Sequence, residues 1–202
     1  MLKKLSNTIY QFSSGLVTLL GLLIFGLFIG FVLPQQAERA EAVSQGAGSP
    51  DMSYFYSRAD LYNMAETYGA EGRAAYVRAR FTFDLVFPLT YLFFLATSIS
   101  WMMLRAVPDA NSRWRTLNLF PVFGALFDYL ENIAASVVML NYPQQTPVFD
   151  LLTPWFTLVK WFFVNGSFVI LVPALCIAVW KWVRGRNGRW GASARTGSMG
   201  NK

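Results

Sequence analysis

The 202-residue chain has no histidine and a single cysteine, Cys176. Without histidine, Ser-His and Cys-His nucleophilic catalysis and His-ligated zinc, iron or haem are excluded within the chain. A lone cysteine excludes an intrachain disulfide framework, a redox pair and a thiolate metal cluster. Neither a P-loop nor a dinucleotide glycine fingerprint occurs, and no internal repeat is visible, so nucleotide chemistry is not expected. No cofactor and no metal ion is expected. Charge is scarce, with Asp, Glu, Lys and Arg making up 14% of the residues.

What is abundant is apolar surface. Hydrophobic residues make up 54% of the chain and aromatics 17%, too much for a soluble domain with a polar exterior. Four apolar runs, 12–33, 81–104, 117–140 and 154–183, are each long enough to cross ~30 Å of hydrocarbon as a helix. The expected fold is an all-α integral membrane protein: one domain, residues 1–184, forming a four-helix transmembrane bundle.

The formal charge of +6 reports orientation here, not nucleic-acid binding. Lys3 and Lys4 precede span one, Arg105, Arg113 and Arg115 fill the short loop after span two, and Lys181, Arg184, Arg186 and Arg189 follow span four. Both termini are therefore expected in the cytoplasm, with a bacterial inner membrane as host. Arg58, Arg73, Arg78 and Arg80 of the long outer loop run against this pattern, but Asp51, Asp60, Glu66 and Glu71 offset them. The first run could also be a cleaved secretory signal with small residues at Ala40-Glu41-Ala42. Its apolar core of ~18 residues exceeds the 7 to 15 of a signal, which favours a retained anchor.

Gly26 and Gly30 of span one form a G-x-x-x-G step that lets another helix approach closely. Ordinary packing within this chain is the expected use, with a homo-oligomer or membrane protein partner as the alternative. Residues 35–50, rich in Ala, Gln, Gly and Ser, read as a loop. Leu61, Met64, Ala65 and Tyr68 then recur at helical spacing, so residues 57–68 predict a short amphipathic helix in the outer loop 34–80, capped by Ser57 and stopped by Gly69. Arg73, Arg78 and Arg80 are expected to snorkel to headgroups. Thr153-Pro154 reads as the start of span four, and residues 185–202 as a disordered basic tail. Trp155 and Tyr142 at one end and Trp101, Trp114, Trp180 and Trp182 at the other supply two aromatic belts.

Against this background the acids inside the spans stand out. An ionised carboxylate near a bilayer centre costs roughly 2.5 to 3.5 kcal/mol even on a lenient insertion scale, so such groups turn toward a bundle interior. Asp128, Glu131 and Asn132 share one face of span three at i, i+3, i+4 spacing. Asp84 begins span two, with Pro88 and Tyr91 on its face, and span four carries Lys160 and Asn165. Depth pairs Lys160 with Glu131 and Arg80 with Asp84, leaving Asp128 without a cation. The expected ligand-contacting set is Asp84, Tyr91, Asp128, Glu131, Asn132, Lys160 and Asn165.

The residues Tyr68-Gly69, Glu71-Gly72-Arg73, Tyr76, Asp84, Pro88, Tyr91 and Phe127-Asp128-Tyr129-Leu130-Glu131-Asn132 resemble a pattern in small multi-pass membrane proteins with an Asp-x3-Pro span followed by a Phe-Asp-x2-Glu-Asn span. That resemblance implies a shared placing of intramembrane acids and no particular reaction. The acid-containing bundle is also loosely similar to the sterol isomerase and sigma-2 receptor-like family, whose membrane cavity binds apolar amines and sterols beside carboxylates. The chain departs from that family in having four spans instead of five and no histidine, and no motif aligns residue by residue.

Three functions are compatible with these features. The first is a non-catalytic accessory or assembly subunit, or a binder of a lipid-like ligand from the membrane. The second is a lipid- or isoprenoid-modifying enzyme with Asp128 as general acid and Glu131 or Asp84 as base. The third is proton- or cation-coupled transport, although no polar group of similar strength continues the line from Asp128 toward the inner face.

Overall fold

A computed structural model describes the backbone of residues 1–197 and the side chains of residues 1–184. Among the described residues the regular structure is helical: α1 (Leu2–Phe12), α2 (Gly15–Leu27), α3 (Leu33–Ser44), α4 (Arg58–Arg80), α5 (Phe83–Ala106), α6 (Phe120–Asn141) and α7 (Phe149–Gly197). Four helical segments are long and apolar enough to cross a membrane, as the hydropathy pattern predicts. Span one runs from α2 through a π-helical turn (Phe28–Val32) into α3, while α5, α6 and α7 supply the other three.

Span one differs from the expected continuous helix at both ends. The chain breaks at Ser13, which is extended, and Ser14 caps the start of α2 by accepting a hydrogen bond from the Val17 amide. Before that break lies α1, a helix outside the four long apolar runs. At the far end, the residues that read as a loop form α3. The Ala, Glu and Gln of this stretch are good helix formers, and Pro34, which has no N–H to give, lies just after the π-helical turn. Low apolar content hides the helix, although its far end packs: Val43 rests on the cap cluster and Ser44 is buried. It ends where Gln45 turns left-handed.

Between α3 and span two, residues 50–80 form a cap over one end of the bundle. Ser57 and Asp60 make a capping box, the Ser57 hydroxyl accepting from the Asp60 amide and the Asp60 carboxylate accepting from the Ser57 amide. The first limb of α4 packs Leu61, Met64, Ala65 and Tyr68 against Ala135, Val138 and Met139 of α6. At Gly69 (φ 63°, ψ −178°) the helix breaks and resumes, as the expected stop at this glycine implies.

Spans two, three and four pack against one another, and span one leans chiefly on α5, with Phe25 also meeting Phe168 of α7 and Val43 of α3 resting on the cap. A Cβ at Gly124 would lie 3.0 Å from Val164 Cγ2, which shows how closely α6 and α7 approach. A Cβ at Gly21 would lie 3.1 Å from the Phe94 backbone and one at Gly15 3.0 Å from the Trp101 ring, so Gly15 and Gly21 are packing glycines of span one. The expected packing use of Gly26 and Gly30 is overturned: among the described residues, their own helix backbone and chain neighbours aside, no atom lies within 4 Å of a Cβ at either. Span four starts earlier than Thr153-Pro154, at Phe149, with Thr153 donating back to the Phe149 carbonyl. The segment expected as a disordered tail is helical in backbone to Gly197, and residues 198–202 lie outside the described residues.

Two outcomes are expected. Gly69→Ala places a side chain in a backbone region that only glycine visits freely, and should destabilise the protein by about 1 to 3 kcal/mol in detergent thermal unfolding. Hydrogen bonds from Ser57 hold the Asp60 carboxyl below its ordinary value of 3.8. Its stabilising contribution is thus present above that value and lost as pH falls through the lower folded-state pKa. Unfolding of wild type and Asp60→Ala followed from neutral pH downward should converge in that acidic window.

Candidate functional site

The acids of spans two and three meet under the cap, where residues from five segments converge. Lys160 of α7 forms an ion pair with Glu131 of α6, as depth predicts, and both side chains are enclosed. Thr157, one turn before Lys160, donates to the other Glu131 oxygen at 2.7 Å. With that proton committed, the Tyr56 hydroxyl of the cap donates to Thr157 at 2.8 Å. A chain of polar contacts therefore runs from the cap through span four to span three.

A second limb starts at Arg80, the last residue of α4. It is buried, forms an ion pair with Asp51, and lies 2.9 Å from Asp84. Its guanidinium sits 4.6 Å over the Tyr76 ring. Snorkelling to headgroups is thus not its role, nor is it that of Arg73, which lies over the Tyr142 ring at 4.6 Å and donates to the Ala65 carbonyl. The physical reason is local. Asp51 and Asp84 flank Arg80 with counter-charge that a headgroup would otherwise supply.

Asp128 has neutral neighbours, as expected. Tyr91 of α5 donates to one oxygen at 3.0 Å and Asn132 to the other at 3.3 Å. Tyr129 turns away and donates to the Leu85 carbonyl at 2.9 Å, tying span three to span two beside Asp84. Besides Asp51 Oδ1 and Arg80 Nε of the ion-paired residues, the Tyr76 hydroxyl, Asn132 Oδ1 and the Ser136 hydroxyl lack a hydrogen-bond partner among the described residues, these three on buried side chains.

Of the expected set, Asp84, Tyr91, Asp128, Glu131, Asn132 and Lys160 gather here. Asn165 does not. It is exposed on α7, because the buried face of that helix passes through Thr157, Lys160, Val164 and Ser167, and Asn165 falls off that stripe. A reading of the spans alone misses Asp51, Tyr56 and Thr157. Thr157 is detectable at i, i+3 from Lys160; the two cap residues carry no local signal, since only folding of the cap brings them in.

Two further polar knots have no counterpart among the expected residues. At the capped end, Asp150 is fully buried and takes Arg58 at 2.9 Å and the Tyr62 hydroxyl at 3.0 Å. Beside it, Ala59, Tyr62, Glu66, Tyr142 and Gln145 line an open depression of about 470 Å³. At the opposite end, Asn118 is fully buried, accepts from the Ser6 hydroxyl at 2.7 Å, and donates to the Ser6 carbonyl at 3.2 Å and the Ser100 hydroxyl at 2.9 Å.

Fold and cluster together define an all-helical protein with four helices fit to cross a membrane and a buried ion-pair network under a polar cap. No family model, curated protein or solved structure matches the chain.

Breaking the Lys160–Glu131 pair strands one charge in the interior. Lys160→Met or Glu131→Leu should each cost about 3 to 5 kcal/mol, and the double variant should recover most of the loss. A double-mutant cycle read by thermal unfolding in detergent checks this.

Proposed function

We propose that the chain is a non-catalytic integral membrane protein, an accessory or assembly subunit, inserted in a bacterial inner membrane with both termini in the cytoplasm. The observation that carries this reading is the enclosure of the polar cluster. Glu131 has no exposed surface, Lys160 is 4% exposed and Asp128 8%. Groups so enclosed and already joined to protein partners fasten helices and cap together; a general base needs an open path to its substrate. Glu131 as base and Asp128 as acid therefore gain no support from this geometry, and the same holds for a coupled transporter.

The orientation rests on charge. Exposed Lys3, Lys4, Arg105, Arg113, Lys181 and Arg184 share the end of the bundle opposite the cap, and basic residues favour the cytoplasmic side. Attachment to a partner would use span one. Its most apolar stretch is 6% buried, against 56% for spans two and three, and Gly26 and Gly30 face open space beside the π-helical turn. A neighbouring helix could approach there without displacing anything in this chain.

A second reading, the binding of a lipid-like ligand by its headgroup, draws on the unpartnered polar atoms of the neutral side chains Tyr76, Asn132 and Ser136. Buried polar atoms generally find partners, and a ligand group entering between cap and span three would supply them.

Purification from native membranes separates the readings. Under the subunit reading, wild type should carry a stoichiometric protein partner or second copy, and Gly26→Leu with Gly30→Leu should abolish that association while expression and thermal stability hold. Unchanged association would remove span one as the docking helix. A bound lipid found by mass spectrometry and lost in Asn132→Leu would move the assignment to the ligand reading.

A further inference from the structure

The end of the molecule that carries the N-terminus has a composition and a shape that the capped end lacks. On α1, Leu2, Leu5, Ile9 and Phe12 recur at i, i+3, i+7 and i+10 and so form one stripe. Three of them are well exposed: Leu2 at 55%, Leu5 at 41% and Phe12 at 70%. A neighbouring sector docks onto the bundle through Ser6, held by Asn118, and Tyr10, whose hydroxyl donates to the Arg115 carbonyl at 2.8 Å. The break at Ser13 then lets the chain change direction before span one. The helix is thus clamped to the 113–119 turn with an apolar stripe facing outward and Lys3 and Lys4 exposed beyond it.

Around α1 the same end exposes Arg105, Arg113 and Arg184, and Asp109 is the one acid in the turn between α5 and α6. Each of these arginines lies over an indole: Arg105 on Trp101 at 4.0 Å, Arg113 on Trp114 at 5.5 Å, and Arg184 on Trp180 at 5.0 Å. Indole and guanidinium side by side suit the boundary between acyl chains and headgroups, where one half of the pair is apolar and the other wet.

We infer that this end is a docking surface for anionic phospholipid: α1 lies in the plane of the membrane interface with its Leu2, Leu5 and Phe12 stripe among acyl chains, and the basic rim holds the phosphates of acidic headgroups. Charge complementarity selects this occupant. An exposed apolar stripe bordered by lysines matches a negatively charged leaflet, whereas a protein partner for the stripe would leave the surrounding arginine–indole pairs unused. The inference does not depend on the function proposed for the buried cluster at the other end.

The full chain, reconstituted in nanodiscs of phosphatidylcholine alone or with phosphatidylglycerol, tests it by hydrogen exchange of residues 2–12. Exchange should slow when phosphatidylglycerol is present. Native mass spectrometry should find phosphatidylglycerol retained over phosphatidylcholine, with retention falling about fivefold for each of Lys3→Gln and Lys4→Gln. Arg78→Gln, a substitution of a cation at the capped end, should leave it unchanged. Equal exchange in the two lipids, equal loss in Arg78→Gln, or the same slowing by inorganic phosphate in phosphatidylcholine discs would each overturn the proposal.

Discussion

A charge withdrawn from water must find its counter-charge inside the protein, and much of this architecture follows from meeting that requirement at Glu131 and Lys160. The cost of burying either alone is several kcal/mol, while as a pair with Thr157 and Tyr56 completing the contacts they are tolerated. The pair constrains register between α6 and α7, since sliding either helix by one turn would separate the charges. Arg80 imposes a similar condition on the cap, because its two carboxylates come from different segments, Asp51 before the cap helix and Asp84 at the start of span two. Helix packing and cap placement are thus specified by the same small set of polar contacts.

The two ends of the bundle solve different problems. At the capped end the polar groups turn inward and are covered by residues 50–80, so aromatic and aliphatic side chains of the cap seal them. At the opposite end the hydrogen-bonding knot is smaller, centred on Asn118, and the charges point outward. Between them, the interfaces rely on small residues and aromatic rings: Gly124 admits Val164, and Phe127 stacks on Phe163 at 6.0 Å. Span one is the exception. It shares few of these contacts and keeps most of its surface free, which is why Gly26 and Gly30 are uncovered.

Several parts of this arrangement are legible in the amino-acid sequence. The four spans, the cap helix with Ser57 and Gly69 at its bounds, and the pairings of Lys160 with Glu131 and Arg80 with Asp84 follow from hydropathy, spacing and depth, because each depends on one helix or on two groups close in depth or in sequence. Helix α3 escapes such reasoning because its one apolar stripe, Leu33, Ala37, Ala40 and Val43, is half alanine and lies amid Gln and Glu. Asn165 falls outside the cluster because depth ranks residues along a helix but does not say which way they point. Helix α1 is hidden for another reason: eleven residues with two lysines look like a flank to a hydrophobic run, although their stripe at helical spacing is present.

The chain alone determined its material: enough apolar length for four crossings, a few ionisable groups that must avoid lipid, and no histidine or cysteine pair with which to do common catalytic chemistry. Only the tertiary structure decided that Asp51, Tyr56 and Thr157 complete the network, that Gly15 and Gly21 and not Gly26 or Gly30 pack span one, and that one end presents an apolar stripe amid arginines. The reason is physical. Hydropathy and period are properties of a segment with its solvent, whereas a buried charge, an open glycine or a docking face is defined by what another segment, distant in sequence, brings or fails to bring against it.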